Sequence, residues 1–123
     1  MPELPEVETL ARDLRGLILG AEISRVKIGW AGSVAMPSAR RFVAGLKGRR
    51  FLAVSRRGKF LQLDLSGPSY LLVHLRMTGH LAVVPADSDP VPYTRVSFDL
   101  TDGRRLAFSD PRKFGRMWWL DQP

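Results

Sequence analysis

A proline stands directly behind the initiator methionine. Once Met1 is removed, Pro2 carries a free secondary amine, which condenses with a sugar aldehyde to a cationic iminium in one step. Glu3, Glu6 and Glu8 follow at once, carboxylates within reach of any atom that amine attacks. A nucleophilic amine beside a proton donor is the apparatus of imine catalysis. The same residues also suit an ordinary helix start. Acids favour the positive end of the helix dipole, and Pro5 is tolerated in a first turn without any chemistry.

Around this terminus the apolar spacing predicts the elements. Val7, Leu10, Ala11, Leu14, Leu17 and Ile18 recur at three- and four-residue intervals, which predicts an amphipathic helix from Pro5 to about Leu19, stopped at Gly20. A short strand over Glu22 to Ile28 and a loop with Gly29, Gly32 and Pro37 come next. Ser38 then caps a second helix whose apolar side holds Phe42, Val43 and Leu46. After Gly48 the period changes to two. Arg49 to Arg56 and Lys59 to Leu65 read as strands around an Arg57-Gly58 turn, and Tyr70 to Arg76 with His80 to Val84 as a second pair. After a polar, proline-rich loop, Arg95 to Leu100 and Arg104 to Ser109 are joined by Asp102-Gly103, and Met117 to Leu120 is a last strand. Helices followed by runs of antiparallel strands predict an α+β domain, an antiparallel β-sandwich flanked by two helices.

With 123 residues the chain is expected to form one domain over 1–123. No apolar run reaches the length of a membrane span and no signal peptide precedes the fold, so membranes are not expected partners and a cytoplasmic location is the default. The absence of cysteine excludes disulfides and thiolate metal sites within the chain. Charge is more informative. Nineteen Lys and Arg against twelve acids give +7, and no acid occurs from Trp30 to Leu63 while Arg40, Arg41, Lys47, Arg49, Arg50, Arg56, Arg57 and Lys59 do. A second group, Arg104, Arg105, Arg112, Lys113 and Arg116, lies near the end. Solubility alone would account for some of this excess; one-signed charge at such density also suits contacts with a polyanion, nucleic acid first.

Three further strings carry candidate chemistry. Arg56-Arg57-Gly58-Lys59-Phe60 sets cations at a hairpin turn, where they are either solvated or available to a phosphate or a proton transfer. His74-Leu75-Arg76-Met77-Thr78-Gly79 ends an apolar strand, where a histidine or methionine is often merely structural. Ser109-Asp110-Pro111-Arg112-Lys113-Phe114-Gly115 combines a guanidinium and an aromatic at spacing two on one loop. A base removed from a duplex leaves a hole, and planar or apolar side chains recover part of the stacking lost.

Together with PELPEVET at position 2, these blocks resemble, in the same order, the amino-terminal domain of the formamidopyrimidine-DNA glycosylases. These are bacterial base-excision enzymes that remove 8-oxoguanine and ring-opened purines. The resemblance covers essentially the whole chain. It implies a glycosylase with abasic-site lyase activity, acting on damaged double-stranded DNA through a Schiff base at Pro2, with no obligate protein partner and a nucleoid-associated, cytoplasmic setting. Glu3 would donate a proton to the sugar, Glu6 support the site from the first helical turn, and Lys59 hold phosphate and assist proton transfer. His74 would contact backbone phosphate, Met77 fill the gap left by the everted nucleotide, Arg112 address the unpaired base and Phe114 wedge the neighbouring step. The Met77, Arg112 and Phe114 set favours the 8-oxoguanine branch over the endonuclease VIII-like enzymes for oxidised pyrimidines.

Two departures from the family pattern stand out. Tyr93 occupies the place of a DNA-contacting histidine; it can still hydrogen-bond a phosphate but cannot carry positive charge. The helix–two-turn–helix and zinc-finger domains of the family have no counterpart, so no cofactor is expected in this chain, the family zinc belonging to the absent part. An excised domain that has lost much of its clamp, with DNA affinity severely reduced, is the corresponding expectation. The competing classes are a non-catalytic DNA-binding module and a basic ribosome-associated domain.

Overall fold

The computed structural model describes residues 4–121, so Pro2 and Glu3 lie outside the described residues. The elements in order are α1 (Leu4–Ile18), β1 (Ile23–Ile28), a single 3-10 turn (Ala31–Ser33), β2 (Val34–Met36), α2 (Ala39–Leu46), β3 (Phe51–Arg57), β4 (Phe60–Leu65), β5 (Ser69–His74), β6 (His80–Pro85), β7 (Thr94–Leu100), β8 (Arg104–Ser109) and β9 (Arg116–Asp121). The strands form a four-stranded sheet, β1-β7-β8-β6, and a five-stranded sheet, β2-β9-β5-β4-β3. The α+β sandwich read from the sequence is observed. One core joins the sheets, with Phe98 set between Phe42 at 6.2 Å and Phe51 at 6.5 Å.

The helices fill the open sides of this sandwich. Helix α1 buries Val7, Ala11, Leu14 and Ile18, the stripe seen in the sequence, and packs on β3 and β6, an edge strand of each sheet. Helix α2 likewise packs on β1 and β2, the two edges on the other side. Edges covered in this way are not exposed to pairing with other chains. Ser38 caps α2 as expected, its hydroxyl accepting from the Arg41 N–H at 3.2 Å.

Three expectations are corrected. The strands around Tyr70–Arg76 and His80–Val84 do not pair with each other: β5 lies between β4 and β9, and β6 pairs with β8. Both sides of β5 are already hydrogen-bonded, so residues 75–79 form a crossover between sheets where five residues between apolar runs suggest a hairpin. The sheets are also not wholly antiparallel, because β2, read as loop, pairs parallel with β9. Finally, the β3–β4 turn is Gly58-Lys59, one residue later than expected, with Arg57 paired to Phe60. Gly58 at φ 62 supplies the left-handed first position of a tight two-residue turn.

Two connections, 75–79 from β5 to β6 and 110–115 from β8 to β9, cross between the sheets at the same end of the sandwich. The register brings Phe60, His74 and Arg116 into one row on the five-stranded sheet at that end. Thr94, Ser109 and His80 form the corresponding row on the other sheet.

Two helical glycines have opposite expected responses to alanine. Gly16, in α1, has open space where a Cβ would go, so Gly16→Ala should stabilise by about 0.5–1 kcal/mol. At Gly45, in α2, a Cβ would run into the Trp119 indole, so Gly45→Ala should destabilise by about 1–3 kcal/mol. Urea unfolding of the two variants checks both signs.

Candidate nucleic-acid interface and active site

At the crossover end, Asp110 is fully buried and organises the loop that follows it. Its carboxylate accepts from the Arg112 N–H at 3.1 Å, the Phe114 N–H at 3.0 Å and the Gly115 N–H at 2.7 Å. It also accepts from the Thr78 hydroxyl, tying the 110–115 connection to the 75–79 connection. On the backbone, the Asp110 N–H donates to the Tyr93 carbonyl at 3.0 Å, and its carbonyl accepts from Arg95 Nε at 2.9 Å. Burial pushes the carboxyl up, but the Thr78 hydroxyl and the three backbone N–H donors outweigh it and hold Asp110 below its ordinary range. Among the described residues, three non-glycine residues have left-handed backbones: Arg76 at φ 58, Tyr93 at φ 60 and Lys113 at φ 59. Each lies in a segment bonded to Asp110. Such conformations persist where surrounding structure over-determines them.

From this scaffold Met77, Arg112 and Phe114 project together. Met77 and Phe114 are 53% and 43% exposed, too open for core residues of their size. The Arg112 guanidinium lies 4.7 Å from the Phe114 ring centroid, and its Nη1 is 3.8 Å from Met77 Sδ. A concavity of roughly 380 Å³ opens beside them, bounded by Arg76, Met77, Phe114 and Arg116. Gly115 passes under this loop because a Cβ there would lie 2.5 Å from Phe108 Cζ.

Lys59 and His74 share a second hollow with Arg57, Phe60 and Tyr70. The Phe60 ring meets the imidazole edge-on at 4.8 Å. His74 Nδ1 accepts from the Arg76 N–H at 3.1 Å, which leaves the hydrogen of a neutral ring on Nε2. Partial burial lowers the His74 pKa, and Arg76 and Lys59 lower it further. The imidazole is therefore neutral at physiological pH, a donor through Nε2 without being a cation.

Glu6 is exposed in the first turn of α1, in a groove of roughly 420 Å³ shared with Thr9, Asp13, Leu75, Gly79 and His80. Glu8, which the sequence offers as another available carboxylate, is instead bound to Arg56 at 3.0 Å, fastening α1 to the β3–β4 hairpin. The segment 74–80 thus touches all three places: His74 the Lys59 hollow, Leu75 and Gly79 the Glu6 groove, Met77 the exposed trio. Tyr93 is 61% exposed and joins this end through its carbonyl, with the Arg95 guanidinium 5.8 Å from its ring. Of the nine residues expected from the sequence, Glu6, Lys59, His74, Met77, Tyr93, Arg112 and Phe114 lie at this end of the sandwich, and Pro2 and Glu3 are outside the described residues. Asp110, Thr78 and Trp30 carried no assignment from the sequence. An Asp-Pro pair opening the Arg112 loop was the available signal for the first; nothing local marked the other two.

Among the described residues no group of His, Cys, Asp and Glu converges to hold a metal, and no helix is long and apolar enough to cross a membrane. The sequence profile of the formamidopyrimidine-DNA glycosylase N-terminal domain matches residues 1–117. The chain belongs to this family. It is 46% identical over 122 residues to the formamidopyrimidine-DNA glycosylase of a Roseiflexus species, covering 98% of this chain and 45% of that protein. To the Protochlamydia amoebophila protein of the same name it is 40% identical over 121 residues, covering 98% and 44%. Among solved structures it is similar to the Lactococcus lactis glycosylase in complex with DNA containing FAPY-dG, with TM-score 0.91, 28% identity, and 97% of this chain against 44% of that one covered. The same enzyme bound non-covalently to DNA with an abasic site gives TM-score 0.91 and 28% identity over 98% and 45%. The chain therefore spans less than half the length of these relatives.

Asp110→Asn replaces an oxygen acceptor with an NH2 group and leaves buried N–H donors unsatisfied, at a cost of about 1–3 kcal/mol. Because the folded pKa is depressed, the carboxylate's contribution is present above its unfolded value near ~3.9 and is lost as pH falls through the folded value. Urea unfolding should show a large difference between wild type and Asp110→Asn at pH 7 that shrinks by pH 3. A difference independent of pH would exclude the ionised form as the stabilising species.

Proposed function

We propose that this chain is the catalytic and lesion-reading portion of a DNA base-excision glycosylase with abasic-site lyase activity, acting on oxidised purines in double-stranded DNA. The observation that carries the reading is the convergence, on one end of the sandwich, of the exposed Met77, Arg112 and Phe114 cluster with the Lys59–His74 hollow and the Glu6 groove. The charge supports it: among the described residues, Arg57, Lys59, Arg76, Arg112, Lys113 and Arg116 at this end make no ion pair with a carboxylate. Cations already neutralised would release fewer counterions from DNA.

In this reading the damaged nucleotide swings out toward the amino terminus while Met77 fills the space it leaves. Unstacking costs a few kcal/mol, offset in part by Met77, Arg112 and Phe114 occupying the gap. The Pro2 amine exists only after Met1 is removed. An α-amino group titrates near ~7.7–8.0, so a usable fraction is unprotonated at neutral pH. That amine attacks C1′; the bond to the damaged base breaks, and the base leaves with the electron pair and takes up the proton that the amine gives up. Glu3 gives a proton to the ring oxygen as the sugar opens, and nitrogen and C1′ become an iminium. The iminium acidifies the C2′ proton, whose loss expels the 3′ phosphate, and a second elimination expels the 5′ phosphate. Glu6, near the start of α1, supports the acid–base steps. Lys59 holds phosphate and assists proton transfer, with His74 Nε2–H as a neutral phosphate donor beside it. Water then releases the sugar remnant and regenerates the amine. DNA as substrate places the protein in the cytoplasm, at the nucleoid.

Borohydride trapping on a duplex with one abasic site is the direct test, after intact mass has established loss of Met1. Des-Met1 protein should give a covalent adduct, and protein with an acetylated amino terminus should give none. Equal trapping by both would eliminate the Pro2 mechanism, and no trapping by either would favour a non-catalytic DNA-binding module. Lys59→Ala should slow strand cleavage by about 10²–10⁴-fold. Phe114→Ala should weaken binding to the abasic duplex by about 1–3 kcal/mol, measured by fluorescence anisotropy.

A further inference from the structure

The loop carrying Arg112 and Phe114 has a second face. Between those two residues, Lys113 adopts φ 59, and its side chain does not join the exposed trio. Lys113 Nζ instead lies 5.1 Å from the centroid of Trp30, a half-buried indole on the segment after β1. The Arg116 guanidinium lies 5.3 Å from the same ring, and its Nη1 donates to the Lys113 carbonyl at 2.7 Å and the Gly115 carbonyl at 2.8 Å. The indole is itself held. Gly32 lies against it so closely that a Cβ there would come within 2.5 Å of the ring, and the Trp30 backbone N–H donates to the Arg95 carbonyl at 3.2 Å. Neither cation has a carboxylate partner among the described residues. An aromatic face attracts a cation without neutralising its charge. Two cations fixed on one ring, with no counter-charge, are preorganised for an anion.

We propose that Trp30, Lys113 and Arg116 form a phosphodiester-binding subsite for the strand opposite the everted nucleotide. The inference rests on the DNA-repair reading above and adds a residue assignment to it. The strand follows from the geometry of the loop. Arg112 and Phe114 face the gap from one side, and the base left unpaired there belongs to the strand that stays in the helix. In this assignment Lys113, whose side chain turns from Arg112 and Phe114 to Trp30, meets that strand's backbone, whereas Lys59 and His74 line a separate hollow for the everted nucleotide.

The test uses the 123-residue protein, a duplex with one tetrahydrofuran abasic analogue, and anisotropy titrations over a range of KCl. The slope of log K against log salt counts phosphates engaged, about 0.9 per contact. Lys113→Gln keeps the stem and removes the charge; it should lower the slope by about 0.9 with an unchanged melting temperature. Trp30→Leu should lower the slope by at least as much, because both cations lose their platform. Arg104→Gln, at the far end of β8, should leave the slope at the wild-type value. Neutral methylphosphonates then locate the contact. Placed opposite the gap, they should weaken wild type about tenfold and Lys113→Gln by less than twofold. An unchanged slope in Lys113→Gln while wild type still binds would overturn the subsite and leave the repair reading standing. Coupling of Lys113 to methylphosphonates in the lesion strand would overturn the strand assignment. Failure of wild type to bind the abasic duplex would remove the repair reading and the subsite together.

Discussion

The buried carboxylate of Asp110 is the constraint on which the exposed end of this domain depends. Two connections leave one sheet and enter the other there, so their backbone groups have no ladder partners. Buried N–H groups without partners are costly, and one acid supplies acceptors for three of them. Its bond with Thr78 then makes the two connections one body. A neutral side chain of similar size offers fewer acceptor sites, and glycine at 115 keeps that residue's backbone close to the carboxylate, since an added Cβ there would meet Asp110 Oδ2 at 3.1 Å. The left-handed backbones at Arg76, Tyr93 and Lys113 are strained conformations for residues with side chains. They persist beside this network and determine where three side chains leave the surface.

The sandwich brings the rest of the site to this network through register and edge protection. Helix α1 has to cover β3 and β6 together, so its first turns lie beside the 75–79 crossover. Arg56–Glu8 and the Arg15 donation to the Val54 carbonyl at 2.8 Å fix its position along β3. The exposed ion pair contributes little to stability; its consequence is positional, since it removes Glu8 from the available acids and leaves Glu6 facing the groove. Elsewhere the cations are treated differently. Arg50, Arg104 and Arg105 are paired with acids, whereas those around the crossovers are set against rings, carbonyls or solvent. Around the crossovers, then, no carboxylate among the described residues neutralises the cations that face outward.

The local physics was legible in the sequence. The α1 stripe, the Ser38 cap and most strand spans follow from periodicity and turn chemistry, which are properties of short windows. What was not legible depends on partners distant in sequence. The runs flanking residues 75–79 look like a hairpin because nothing nearby says that β9, forty residues on, already occupies the free side of β5. The Val34–Met36 segment has no strand pattern of its own and pairs only because β9 offers an edge. For the site, family resemblance located the projecting residues but not their supports: Asp110 and Thr78 are ordinary loop residues until the crossovers meet. Trp30 is silent for the same reason, its two cations lying more than eighty residues away.

That asymmetry has a physical cause. A residue that touches a ligand is constrained by the ligand's chemistry, so its type is recognisable wherever it stands. A residue that holds another residue is constrained only by the fold, and many types could serve in a different arrangement. The cost of binding falls when the contacting groups are ordered beforehand. Here the ordering is carried by a buried acid and a half-buried indole, while guanidinium, thioether and phenyl groups remain exposed above them. Exposed apolar groups of this size are unfavourable in water, and loops free to move would bury them against the sheets. Held apart by the Asp110 network, Met77 and Phe114 stay in solvent, their apolar surfaces presented side by side for a stacked or apolar partner.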